Sequence, residues 1–208
     1  MGQEEDMIYK YAEAFTQGLQ GKPGALTGVL GSVKHYLGDG ATMYGADEGS
    51  AHVGSFKSFL HRNSQGFNGS ISAEVGSVMC SYSAINYLPM AFSPLLSTHL
   101  RDKLNFDGFV IGDYNELDKV QDQTLPTDIQ KIDAIDDAAA TVLNAGTDMM
   151  MIPDRDDFLG YIDGVKSSLG NHTLNIDRLQ DAVAKIISVK LALGVAKLQS
   201  PSNMRFRE

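Results

Sequence analysis

The stretch Asn105-Phe-Asp-Gly-Phe-Val-Ile-Gly-Asp-Tyr-Asn115 decides the fold. An apolar run, Phe109-Val110-Ile111, leaves a turn at Asp107-Gly108 and stops at the small Gly112. The next side chain is a carboxylate, Asp113, with the aromatic Tyr114 beside it. Short continuous apolar runs mark the buried strands of parallel α/β sheets. Chemistry in such sheets sits on the first residues past the carboxyl ends of the strands, and Asp113 stands at that place. Aspartate is also a common N-cap at the start of the helix after such a strand, and the stretch alone leaves both roles open.

Outward from this strand, strand and helix alternate. Residues 4–20 read as an amphipathic helix with Ile8, Ala12, Phe15 and Leu19 on one face and acidic side chains in the first turn, where the helix dipole favours them. Gly21, Pro23 and Gly24 end it. A strand over residues 29–37 ends in Lys34-His35-Tyr36 and runs into a glycine-rich loop, 38–45. That loop lacks the third glycine of a dinucleotide site and carries Asp39, with Asp47 just beyond it, which would repel phosphates. A helix is expected over 50–62 and a strand over 76–83. Ser93-Pro94 opens another helix, with serine as N-cap and proline at the first helical position; it carries Leu95, Leu96, Leu100 and Leu104 to the strand ending at Asp113. A polar loop through Pro126 precedes a helix over 128–144, with Ile132, Ile135, Ala139 and Val142 inward. Residues 148–152 are the fourth strand, stopped by Pro153. Helices follow over 156–169 and 175–193, the last with Leu179, Val183, Ile186 and Ile187 on one face.

Four strand–helix repeats at intervals of about 35 residues imply parallel βαβ units with right-handed crossovers. They correspond to half of an eight-stranded barrel or to a four-stranded open sheet. A complete (β/α)8 barrel takes about 250 residues, so the expectation is an α/β fold, a partial TIM-type barrel of about four parallel βα units forming the second half of the barrel. The chain divides into an N-terminal helix and linker (1–27), a half-barrel body (28–195) and a basic tail (196–208).

Composition narrows the function. With 17 basic and 26 acidic side chains the formal charge is −9, which disfavours nucleic acid and anionic membrane as partners, since both need a positive footprint. No run approaches the roughly 18 apolar residues of a membrane span, and the acidic start, Met-Gly-Gln-Glu-Glu-Asp, has no signal-peptide character; the compartment stays unassigned. One cysteine, Cys80, allows no internal disulfide and reads as a buried thiol. The histidines 35, 52, 61, 99 and 172 lack ligand spacing, so neither a metal nor a cofactor is expected.

Four segments together resemble glycoside hydrolase family 3, the β-glucosidase and exo-β-glucanase family. Lys34-His-Tyr-Leu-Gly-Asp-Gly40 is similar to its Lys-His-Phe-x-Gly-Asp-Gly signature, and 77–86 to its Val-Met-x-Ser-Tyr-Ser-x-x-Asn strand. Residues 107–114 are similar to its Gly-Phe-Val-x-Ser-Asp-Trp nucleophile motif, and 145–153 to Ala-Gly-x-Asp-Met-x-Met-x-Pro. Order and spacing hold across residues 28–195.

The resemblance implies that Asp113 is the catalytic nucleophile of a retaining glycosidase, attacking the anomeric carbon. It implies that Lys34 and His35 hold sugar hydroxyls, with Met79 and Tyr82 lining the same pocket and Tyr114, where the family has tryptophan, as a stacking platform. Read without it, Lys34 is a solvated lysine, His35 a core histidine, and Met79 and Tyr82 strand packing. Gly112 stands where the family has serine, and Asp148 is expected to serve structure. The family's remaining sugar-binding aspartate and arginine come from earlier βα units, and its acid/base glutamate from a following domain. The expectation is therefore a β-glucosidase-type hydrolase, acting on β-glucosides or oligosaccharides, that holds the nucleophile and is inactive or weak alone. A homo-oligomer or a complementary chain would cover the open barrel edges. The alternative is a non-catalytic sugar-binding or assembly subunit; an unrelated α/β binding protein is a third reading that the collinear motifs disfavour.

Overall fold

The computed structural model describes residues 4–22, 28–117 and 135–195. Its larger sheet is built from β1 (Ser32–Tyr36), β3 (Ser77–Cys80), β6 (Phe109–Tyr114) and β7 (Met149–Met151); β2 (Ser50–Ala51), β4 (Ala84–Ile85) and β5 (Leu88–Pro89) form a smaller one. In the larger sheet every pairing is parallel and the order is β1-β3-β6-β7. Strand order follows the chain without reversing. Right-handed crossovers then lay the connecting segments on one face, as in a (β/α) barrel, whereas a doubly wound open sheet reverses its order. The arc of a barrel is what this chain forms.

The helices are α1 (Glu5–Gln20), α2 (Phe56–Asn63), α3 (Gln65–Ser72), α4 (Ile135–Ala145), α5 (Arg155–Gly170) and α6 (Ile176–Ala192). Caps set their starts: the Asp154 carboxylate accepts from the N–H groups of Asp156 and Asp157, and the Asn175 side chain from Asp177 N–H. Before β6, the expected leucine helix widens into one π-helical stretch, Leu96–Arg101, with Leu96 and Leu100 fully buried. The helix expected over 50–62 begins only at Phe56, capped by Ser55, because Ser50–Ala51 pairs as β2. Of the helix expected over 128–144, residues 128–134 lie outside the described residues; Ala139 and Val142 are fully buried.

The sheet has two unlike faces, because successive side chains alternate. Val78 and Val110, register partners, lie under the helical layer with Tyr36, Cys80, Leu96 and Leu100 at 0% exposure. On the other face Met79, Ile111 and Met149 stand in register across three strands and are only half-buried.

Two helices turn differently from their apolar pattern. In α1 the buried residues are Thr16 and Gln20, while Phe15 is 61% exposed. The cause is close approach to α3, where a Cβ on Gly69 would collide with the Tyr9 carbonyl oxygen. Small and polar groups therefore fill the seam: Thr16 Oγ1 donates to Ser70 Oγ at 3.1 Å. Gln20 accepts from Gly31 and Gly76 N–H and donates to the Glu74 carbonyl. In α6, Leu179 and Ile186 are half-buried, while Val183 and Ile187 stay exposed.

Candidate active site

Three strands of the larger sheet, β1, β3 and β6, bring polar residues to the same rim, while β7 ends in methionine. β1 ends at His35-Tyr36; Tyr36 turns inward, its hydroxyl 2.7 Å from His99 Nδ1 and its ring edge-on to Phe67. The peptide bonds Lys34–His35 and Tyr36–Leu37 are cis. His35 stays half-exposed on the rim. β3 passes into Ser81-Tyr82-Ser83, and β6 into Asp113. These ends, with Asp39, Asp47 and Glu48 from the loop after β1, line a cleft of about 260 Å³.

The geometry centres on His35. Its Nε2 faces Asp113 Oδ2 at 3.3 Å and its Nδ1 faces Asp39 Oδ2 at 3.1 Å. A neutral imidazole donates through one nitrogen only, whereas the doubly protonated ring donates to both carboxylates. Asp39 is itself held by the Ser81 hydroxyl, and Ser81 Oγ accepts from Ser83 N–H at 2.8 Å. The other oxygen of Asp113, Oδ1, accepts from Tyr114 N–H at 2.7 Å. Asp113 is thus oriented at both oxygens, with 13% of its side chain open to the cleft. A carboxylate held so can act as a nucleophile or stabilise a developing cation. Burial, then the Asp113 and Glu116 carboxyls, push the Tyr82 hydroxyl above its ordinary value and keep it a neutral donor.

Of the residues singled out by sequence, the structure brings His35, Tyr82 and Asp113 into one cleft. Lys34 is exposed outside its lining; Met79 belongs to the half-buried row on the open sheet face; Tyr114 is 59% exposed beside the cleft, tied in by its main chain. Sequence reasoning gave no role to Asp39, although its spacing of four from His35 is short enough for contact. Ser81 and Ser83 stood there only as part of the 77–86 motif, and Glu116 was given no role. Glu116 lies three residues past Asp113, its Oε2 accepting from Asp113 N–H at 3.0 Å, and burial pushes its carboxyl up to about 8. Asp148 is wholly inaccessible at its side chain, ion-paired with Arg101 and with Arg178 and accepting from Val110 N–H at 2.7 Å. Among the described residues no group of three or more His, Cys, Asp or Glu is placed to hold a metal ion, and no helix is long and apolar enough to cross a membrane.

Residues 2–189 match the model of the glycosyl hydrolase family 3 N terminal domain. The chain belongs to glycosyl hydrolase family 3. It is 25% identical to a beta-xylosidase of Formosa agariphila over 206 residues, 93% of this chain and 27% of that protein. It is 30% identical to an exo-1,4-beta-xylosidase of Emericella nidulans over 160 residues, 71% of this chain and 20% of that protein. The crystal structure of an exo-1,3/1,4-beta-glucanase from a Pseudoalteromonas species superposes with a TM-score of 0.78 at 26% identity, over 96% of this chain and 24% of that one. This family 3 chain therefore spans about a quarter of the length of these relatives.

Proposed function

We propose that this chain carries the nucleophile half of a retaining β-glycosidase site acting on β-glucosides or β-xylosides. The observation that carries the reading is Asp113 at the rim end of β6, one oxygen fixed by Tyr114 N–H and the other facing His35 across 3.3 Å. In this reading Asp113 attacks the anomeric carbon and forms a glycosyl ester, while Asp39 and Ser81 hold His35 in place to bind a sugar hydroxyl. Lys34 and Met79 contribute to sugar binding from the open face, Tyr82 from the cleft wall, and Tyr114 stacks on the following sugar. A retaining hydrolase also needs a carboxylic acid about 5–5.5 Å from the nucleophile. We assign that acid to polypeptide outside the quarter matched here, so this chain hydrolyses ordinary glycosides weakly or not at all. The half-buried row Met79, Ile111 and Met149 and the exposed stripe Met7, Tyr11 and Phe15 are apolar surface of the kind that partners cover. A second copy or a complementary chain would seat there.

The test separates the nucleophile from the acid. The dinitrophenolate of a 2-deoxy-2-fluoro β-glucoside or β-xyloside departs without protonation. Intact-protein mass should rise by one fluoroglycosyl unit, and Asp113→Ala should abolish the gain. Folded protein that takes no label at high reagent, yet binds sugar by calorimetry, supports instead the non-catalytic sugar-binding subunit.

A further inference from the structure

We propose that Glu116 is a positioning residue for the nucleophile, clamping the main chain at the strand end so that Asp113 presents its carboxylate to the cleft; this rests on the nucleophile reading above. Three observations converge. Glu116 is 2% exposed, and its Oε2 accepts from Asp113 N–H at 3.0 Å. That oxygen packs directly against Gly112: a Cβ there would lie 2.9 Å from Glu116 Oε2 and 2.8 Å from Met150 Cε, so that a side chain at 112 would displace the ends of both. The remaining oxygen, Oε1, is buried without a hydrogen-bond partner among the described residues, an arrangement that packing alone does not favour.

Direction matters as much as contact. Met150, which Gly112 faces, packs with Ala138 and Val142 of α4, whereas Asp113 lines the cleft. The Gly112 side, where Glu116 and Met150 meet, is therefore the helical face, and Asp113 points to the other. Glu116 does not line the cleft. It works through the backbone, not on the sugar, and is not the missing acid. The titratable groups around it among the described residues are Asp113 on its own segment, Cys80 at the end of β3 and Tyr82 beyond it; none of these is a cation. Burial first, and then the neighbouring Asp113 charge, favour the neutral acid against the opposing pull of the Asp113 N–H bond. Held neutral, Glu116 leaves Asp113 as the negative charge at the strand end. A second buried anion there would find no counter-charge among the described residues.

Nitrogen-15 NMR of the parent chain tests the clamp without any activity. The Asp113 amide proton should move downfield as pH rises through about 8, because a hydrogen bond to an ionised carboxylate is shorter and stronger. Glu116→Gln should keep the bond and abolish the movement. An Asp113 amide that does not titrate, or titrates unchanged in Glu116→Gln, overturns the proposal. Fluoroglycoside labelling supplies the functional arm: Glu116→Gln should label at a rate close to the parent's, and Glu116→Ala about a hundredfold more slowly, the cost of a displaced reacting group. Labelling of Glu116→Ala at the parental rate also overturns it. A parent that takes no label overturns the nucleophile assignment itself, and the amide titration distinguishes that failure from failure of the clamp.

Discussion

Two aspartates on neighbouring strands have opposite surroundings. Asp148, just before β7, has no exposed side-chain surface and meets two guanidinium groups and a main-chain N–H. Arg178 extends the knot by donating to the carbonyls of Leu143 and Thr147, and Arg101 to those of Phe106 and Gly108. Asp113, at the far end of β6, meets one N–H and one imidazole and opens on a cleft. The first charge is fully spoken for and binds β6, β7 and α6 together. The second keeps surface open to the cleft. Permanent counter-charge and closure, not residue type, separate the buried carboxylate from the one left open to the cleft.

The widest gap between them should appear on mutation. Asp148→Asn leaves two buried guanidinium groups short of an anion and should cost about 3–5 kcal/mol in urea unfolding. Asp113→Asn, isosteric and on the rim, should change stability by less than about 1 kcal/mol. Equal losses would erase the distinction. A smaller effect sharpens the Asp113 side. The Glu116 carboxyl rises from 4.5 to about 8 on folding, so between those values the unfolded chain binds fewer protons than the folded one. Its contribution to stability therefore declines as pH climbs from about 4.5 to about 8 and is level above. Glu116→Gln should remove that decline from a series of melting temperatures. The smallest effect belongs to Tyr114, 59% exposed. Tyr114→Trp should leave melting unchanged and shift affinity for a β-linked disaccharide by about 1 kcal/mol or less, read by calorimetry.

The larger sheet was legible because β3, β6 and β7 carry short apolar runs, and because four motifs fall in order along it. The rim followed: His35, Tyr82 and Asp113 were named from sequence and meet in one cleft. The smaller sheet was not legible. Its strands are two residues long, with no periodicity to read, and the hairpin between β4 and β5 turns through Asn86 and Tyr87, both at positive φ, where tyrosine gives no turn signal. The orientation of α1 also escaped: the apolar stripe was evident, but Gly69 draws α3 against a different side. Glu116 was invisible for a third reason. Its effect comes from folding back under its own strand end, which no spacing rule describes.

β7 is three consecutive methionines, Met149–Met151, all half-buried. Alternation sends Met149 to the open sheet face beside Ile111, and Met150 inward against Ala91, Leu117, Ala138 and Val142. Thioethers on an uncovered face are open to peroxide, and a sulfoxide there is polar and chiral where an apolar surface stood. The face we propose a partner covers is thus also the face that oxidant would alter first, turning an apolar surface polar sulfur by sulfur.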